Sequence, residues 1–324
     1  MSSGKNKPRI VVSRCLGFAH CRYDGSVIPA PVVDSLRDFV EFVPVCPELE
    51  LGLGAPRPPV RLVWREGEIR LLQPETGRDL TEAMQALFTH FSASLPPVDG
   101  FILKHRSPSC GIKDAKVYPY QGKGGVLGRR AGMFGQAVKE QFSDLPVEDE
   151  GRLTNLQLRE HFFTAVFALA ELRAVQSSQK MGDLVRFHSR YKLLLMALSQ
   201  VRLRELGRIV ANPEKRPVAE VMERYGRTFR VAMARPFRRP AAINVLLHAF
   251  GYFSDQLSPG EKAYFLDLLA HYREGKVPLS APVSVLRAWI IRFEESYLAD
   301  QSFFFPYPEP LVSLENSGKS REAR

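Results

Sequence analysis

Four cysteines, spaced Cys15-x5-Cys21-x24-Cys46-x63-Cys110, are the residues of this chain best suited to chemistry. Three of them follow apolar runs. Arg9-Ile10-Val11-Val12-Ser13 leads to Cys15, Val43-Pro44-Val45 to Cys46-Pro47-Glu48, and Phe101-Ile102-Leu103 to His105-Arg106-Ser107-Pro108-Ser109-Cys110. Each run has the composition of a buried strand, and Pro47 marks where the middle one must stop. In an open α/β sheet the C-terminal strand ends line the ligand crevice, so these thiols are expected to share one site. Their spacing matches neither the paired knuckles of structural zinc nor the ferredoxin run. Soft thiolates scattered along a fold suit an iron–sulfur cluster; buried, inert cysteines are the alternative. Three protein ligands instead of four leave one iron open to a soft atom such as sulfur.

The elements that must position these residues alternate. Pro31 to Phe42 carries apolar residues at 32, 33, 36, 39 and 40, the helical period. Val60 to Leu72 reads as a hairpin about Glu66-Gly67. Asp79 or Thr81 caps a helix running to about Ser94. Residues 117–132 form a Gly-rich basic stretch, here expected as a loop, and a helix covers roughly 132–143. That stretch lacks a Walker GxxxxGK[ST] pattern, so no nucleoside triphosphate site is expected. Strands and helices in alternation predict an α/β N-terminal domain with a mainly parallel, helix-flanked sheet over residues 1–148.

Pro146-Val-Glu-Asp-Glu-Gly151 is acidic and reads as a linker to an all-α C-terminal domain over 152–312. Helices are expected at about 155–177, 180–210, 214–234, 240–255, 258–274 and 280–300, separated at Asn212-Pro213, Pro236, Pro259 and Pro278. Phe303 to Pro308 is expected as an extended arm, and 313–324 as a disordered tail. No run approaches the roughly 18 apolar residues of a membrane helix. The N-terminus lacks the apolar core of a secretory signal, and four cysteines make no disulfide framework. A cytoplasmic protein with no membrane partner is therefore expected; the oligomeric state is left open.

Val12-Ser13-Arg14-Cys15-Leu16-Gly17, Cys21-Arg22-Tyr23-Asp24-Gly25, Cys46-Pro47-Glu48, Gly52-Leu53, Pro56-Arg57-Pro58-Pro59 and Leu103-Lys104-x-x-Ser107-Pro108-Ser109-Cys110-Gly111 occur in order over roughly residues 8–145. Together they closely resemble the thiouracil desulfurase family. The resemblance implies a [4Fe-4S] cluster held by Cys15, Cys46 and Cys110, with one iron not bound by protein. It also implies redox-neutral removal of sulfur from a thiolated pyrimidine. Cys21, in a loop instead of at a strand end, is left outside the ligand set and is expected to pack near the cluster or to donate a weak S–H hydrogen bond to a cluster sulfide. Hydrolysis of a thiocarbonyl needs a group that takes a proton from water and protonates the leaving centre. Glu48, two residues from Cys46, is the candidate general acid/base; a solvent-facing glutamate is the alternative. Ser109 and Ser107 are the candidates to bind substrate or relay a proton, with one of the two expected to cap the loop. Ser13 is expected to be structural, with lining the pocket as the alternative, and Lys104 to stabilise negative charge or simply face solvent.

The second half resembles the YbgA-like helical domain through Arg186-Phe187-His188-Ser189-Arg190-Tyr191-Lys192-Leu193-Leu194-Leu195-Met196, Arg204-Glu205-Leu206-Gly207, His248-Ala249-Phe250-Gly251-Tyr252-Phe253 and Pro306-Tyr307-Pro308. That resemblance supplies architecture more than chemistry. Charge adds a hint. Residues 1–150 hold 19 Lys/Arg against 18 Asp/Glu, whereas 152–239 hold 18 against 7. A basic annex suits a polyanion, and a solvated basic face is the plain alternative. Arg202, Arg204, Arg208, Lys215, Arg216, Arg224 and Arg227 are the candidate RNA-binding residues. The combined reading is a desulfurase converting 4-thiouridine in tRNA, tRNA fragments or thiopyrimidine nucleotides to uridine. Two alternatives stand beside it: a desulfurase of free 2- or 4-thiouracil with a dimerising helical half, and a non-catalytic iron–sulfur RNA-binding sensor.

Overall fold

The computed structural model describes residues 7–120 and 125–312. Its first part runs β1 (Arg9–Ser13), α1 (Pro31–Leu36), β2 (Glu41–Val45), α2 (Pro47–Glu50), β3 (Arg61–Arg65), β4 (Glu68–Gln73), β5 (Arg78–Asp79), α3 (Thr81–Ser94), β6 (Gly100–Leu103), β7 (Ala115–Pro119), β8 (Gly128–Arg130), α4 (Met133–Gln141) and β9 (Val147–Asp149). Ile10, Val11 and Val12 are fully buried. A β-branched run buried on both faces belongs in the middle of a parallel sheet, and β1 lies there, in the order β2-β1-β6-β9. All three pairings are parallel, from Arg9↔Glu41 to Ser13↔Val45 on one side and from Ile10↔Gly100 to Val12↔Ile102 on the other.

A second sheet, β5-β4-β3-β7-β8, lies outside the parallel scheme: of its pairings only β3 with β7 is parallel. The hairpin β3–β4 turns at Glu66 and Gly67, whose φ of 51° and 89° fit a two-residue turn matched to strand twist. Helices α3 and α4 close the core, with the Phe134 ring 5.5 Å from Phe88 and 5.3 Å from Phe91.

Three local expectations are corrected. The supposed linker contains β9, hydrogen-bonded parallel to β6 with Asp149 fully buried; two acidic residues in three masked a strand this short. Helix α1 stops at Leu36 and not near Phe42, because Glu41 and Phe42 are drawn into the ladder with β1. Part of the 117–132 stretch is sheet, since Gly128–Arg130 pairs antiparallel with β7; residues 121–124 of it lie outside the described residues.

The remainder is helical: α5 (Leu156–Ser178), α6 (Met181–Leu198), α7 (Gln200–Ala211), α8 (Val218–Met233), α9 (Arg239–Gly251), α10 (Pro259–Glu274), α11 (Ser280–Arg292) and α12 (Ser296–Ala299). The single helix expected over 180–210 is two. Ser199 is extended (φ −166°), and its side chain accepts from the Arg202 N–H at 3.3 Å, capping α7. Helix α7 ends at Asn212 in the left-handed region, before Pro213. The stretch expected as a helix over 280–300 likewise breaks between α11 and α12. Among the described residues the chain divides into two compact units, one reaching to Ala170 and taking back 310–312, the other Glu171–Glu309. Phe187, Tyr191, Tyr225 and Phe229 stack inside the second, so Tyr191 is a core residue. The expected disordered tail lies outside the described residues. Among those residues no helix is long and apolar enough to cross a membrane.

Candidate active site

Cys15 lies two residues beyond β1, Cys46 directly follows β2, and Cys110 sits in the loop after β6. Because β2, β1 and β6 are neighbours, the three thiols arrive at the same sheet end from adjacent strands. Cys21, excluded from the set on sequence grounds, is brought there too. Its side chain contacts those of Cys15 and Cys46, and the Cys46 thiol donates to the Cys21 carbonyl at 3.8 Å. The contact with Cys15, then burial, pushes the Cys21 thiol up to about 11. Cys46 is pushed up further, first by Cys21 and then by burial. Burial raises Cys110 to about 12, against the opposing hydroxyls of Ser13 and Ser107. A nest of protonated thiols of this kind releases protons when it takes metal.

One tetrahedral ion with metal–sulfur bonds of about 2.3 Å holds its sulfurs about 3.8 Å apart. Among the described residues no three of these sulfurs lie within 4.8 Å of one another. A soft, all-thiol donor set suits an iron–sulfur centre.

Glu48 opens the four-residue helix α2, which Pro47 begins. Its Oε1 accepts from Ser109 Oγ at 2.8 Å, and Oε2 accepts from Arg57 Nε at 2.8 Å and again from Arg57 Nη2. Both partners of the ion pair are withdrawn from solvent, Arg57 at 3% and Glu48 at 13% side-chain exposure. Arg57 also donates to the carbonyls of Cys21 at 3.0 Å and Gly54 at 2.6 Å. It thereby ties the acid to the loop of the second cysteine. Arg57 was legible only as part of a proline-rich loop. Three prolines around one arginine were the available signal, because a rigid loop can hold a buried guanidinium in place.

The two serines separate by geometry. Ser107 Oγ accepts from the N–H groups of Ser109 (3.2 Å) and Cys110 (3.0 Å), so it caps the loop. Ser109 is fully buried and points at Glu48. Ser13, also buried, accepts from the Lys104 N–H at 2.9 Å. The Lys104 ammonium is bound to Glu150. Helix α4 clamps the cysteine loop from the other side. Met133 N–H donates to Pro108 O (3.0 Å) and Gly135 N–H to Ser109 O (2.9 Å), filling donors that a helix start leaves unpaired. Side chains there would collide: a Cβ on Gly132 would lie 2.6 Å from Ser107 O, and one on Gly135 would lie 2.4 Å from Gly111 O.

The seven basic candidates lie on or between α7 and α8. Arg202 pairs with Glu205, Arg216 with Glu214 and Glu220, and Arg227 with Glu223. Arg204, Arg208 and Lys215 are exposed and Arg224 is half-buried.

The site and fold thus describe a thiol-rich α/β enzyme domain joined to a helical one, and comparison with known proteins agrees. Residues 10–150 match the family described as 2-thiouracil desulfurase, and residues 192–308 match a family described as protein of unknown function, DUF1722. The uncharacterized protein YbgA of Escherichia coli K12 is 31% identical over 155 residues, covering 47% of this chain and 91% of that protein. The uncharacterized protein YbbK of Bacillus subtilis 168 is 37% identical over 109 residues, covering 32% of this chain and 72% of that protein. A solved [4Fe-4S]-dependent thiouracil desulfidase is 28% identical, with 47% of this chain and 97% of that one covered at a TM-score of 0.34. The chain belongs to the 2-thiouracil desulfurase family through its first half and to the YbgA-like DUF1722 family through its second. It is an enzyme of the thiopyrimidine desulfurase class.

Proposed function

We propose that the protein is a [4Fe-4S]-dependent desulfurase that converts 4-thiouridine in tRNA, tRNA fragments or nucleotides to uridine with release of sulfide, working in the cytoplasm. Cys15, Cys46 and Cys110 would hold the cluster, leaving one iron without a protein ligand. The observation that carries this reading is the Glu48–Arg57–Ser109 constellation standing against the buried thiols. When bound, the cluster supplies a soft Lewis acid for the thiocarbonyl sulfur. The chain's own residues do the rest. Glu48, held at one oxygen by Arg57, has its other oxygen free to exchange its Ser109 bond for a water proton. Ser109 Oγ hands that proton to the departing sulfur, which leaves at the sulfide level while the water oxygen, losing its second proton to solvent, stays on the ring carbon as the uridine carbonyl. Ser107 keeps the loop in shape through its two N–H bonds.

Arg204, Arg208, Lys215 and Arg224 supply the phosphate contacts that an RNA substrate requires. The intrachain pairing of Arg202, Arg216 and Arg227 favours a second reading, a free thiobase as substrate. Anaerobic reconstitution with iron and sulfide, followed by incubation with 4-thiouridine-bearing tRNA, 4-thiouridine monophosphate and free 2- and 4-thiouracil, tests both. The RNA reading expects fastest sulfide release from the tRNA or its fragments, with affinity falling steeply in salt. Equal rates on free base without salt dependence support the second reading. Cluster binding without turnover on any of them supports a sensor.

A further inference from the structure

A second cluster of ligating side chains lies in the same unit, and the desulfuration chemistry does not use it. His105 follows β6, Asp114 precedes β7, and Asp149 ends β9. One ligand atom from each lies within 4.8 Å of the other two. His105 Nε2 contacts Asp114 Oδ2 directly, and Asp114 Oδ1 accepts from the Arg106 N–H at 3.3 Å; an ion with bonds of about 2.0–2.2 Å holds its nitrogen and oxygen ligands about 3–4.4 Å apart, so it would enter by replacing the His105–Asp114 contact. Asp149 is fully buried. Its Oδ1 accepts from the Arg152 N–H at 2.7 Å, while Oδ2 is buried without any hydrogen-bond partner. An unpaired carboxylate oxygen away from water is costly unless a cation meets it. The lysine and arginine adjoining in sequence are committed elsewhere, Lys104 to Glu150 and Arg152 to Glu148, and the His105 imidazole, which also faces Asp149, is engaged by Asp114. Gly151 keeps the space open, since a Cβ there would lie 3.1 Å from His105 Nδ1 and 3.2 Å from Asp149 Oδ1.

We infer that His105, Asp114 and Asp149 form a second metal site, separate from the cysteine nest, which takes one divalent first-row cation through an imidazole nitrogen and two carboxylates. The donor set is nitrogen and oxygen only, so it selects a harder ion than the thiols do. Its position gives it a task. His105 and Asp114 bracket Ser107, Ser109 and Cys110, and an ion shared with Asp149 ties that loop to the end of the parallel sheet. The site is a clamp on the loop, and it does not depend on what the cysteines hold.

The test uses Mn2+ as probe, because carboxylates and imidazole bind it and thiolates bind it poorly. Full-length protein purified without oxygen and stripped of loose metal is titrated with Mn2+, and the free ion is read by electron paramagnetic resonance. One Mn2+ per chain is expected, displaced by Zn2+, lost in Asp149→Asn and in Asp114→Asn, and kept in Cys46→Ala. Metal-free Asp149→Asn should melt at or above the wild type, because it removes a buried unpaired charge; should that variant not fold, Asp114→Asn at its partly exposed position decides. No saturable binding, stoichiometry unchanged in the aspartate variants that fold, or binding lost with Cys46→Ala would each overturn the site.

Discussion

The ion pair between Arg57 and Glu48 separates a structural acid from a catalytic one, and a double-mutant cycle can tell them apart. Arg57→Met removes two N–H bonds to Glu48 and those to the carbonyls of Cys21 and Gly54. Because both partners are nearly inaccessible, the stranded carboxylate costs about 3–5 kcal/mol. At about 2–4 °C per kcal/mol, that is a fall in Tm on the order of 10 °C. Glu48→Gln leaves Arg57 with two carbonyls and an amide oxygen and costs about 1–3 kcal/mol. The double variant strands no charge, so its loss should be smaller than the sum by more than about 1 kcal/mol, well beyond the scatter of independent sites. Turnover should follow a different pattern. General acid–base catalysis contributes about 10²–10⁴-fold, so Glu48→Gln should lose that factor in sulfide release, and the double variant should regain stability without regaining rate. Thermal melts and anaerobic sulfide-release assays on the four proteins complete the cycle. A Glu48→Gln protein retaining more than about a tenth of the wild-type rate, or a double variant that recovers turnover together with stability, refutes the catalytic role.

Ser107→Ala leaves the Ser109 and Cys110 N–H groups without their acceptor; a loss of about 1–3 kcal/mol and reduced iron content after reconstitution are expected. Gly135→Ala drives a Cβ to within 2.4 Å of the Gly111 carbonyl, so iron loading should fall sharply, whereas the same change at Gly251, which has open space around it, should leave loading unchanged. Arg204→Glu with Arg208→Glu should weaken tRNA binding at all sequences and flatten its salt dependence by roughly one unit of slope per residue, read by filter binding across salt concentrations. His188 is pushed down by burial and by the Lys192 ammonium. A depressed histidine adds stability above its unfolded value near 6.5 and loses it as pH falls. Denaturant midpoints should therefore drop below about pH 6.5, and His188→Gln should flatten that drop.

Much of this site was legible because its chemistry sits on ordinary sequence signals. Apolar runs within Arg9–Ser13 and Gly100–Leu103 became neighbouring parallel strands, and the cysteine after each run arrived at their shared end. Glu48 was legible through Pro47, which starts a helix at the residue before it. Cys21 sits beside Cys15 and Cys46, as packing near the cluster requires, yet a loop position in sequence says nothing about tertiary proximity; no strand delivers it, and only the fold brings it there. The supposed linker failed for a related reason. Val147–Asp149 has one apolar residue in three, and its place beside β6 is set by its partner and not by its own propensity.

The same logic explains why Arg57 stayed silent while its target did not. A catalytic carboxylate has to sit near the chemistry, so a glutamate beside a cysteine is a local pattern. The cation that orients it has no such constraint. Arg57 lies nine residues on, past two glycines with φ near 70° at Gly52 and Gly54, and reaches back through a turn whose course no periodicity encodes. Its burial at 3% exposure is the opposite of what an arginine among prolines ordinarily implies. A guanidinium is left in such a place only where several acceptors converge on it, and here a carboxylate and two carbonyls do. The acid, its orienting cation and the second cysteine therefore form one mechanical unit. A change at Arg57 should disturb the Cys21 loop and the Glu48 carboxylate together, even though neither the cysteine nor the acid has been altered.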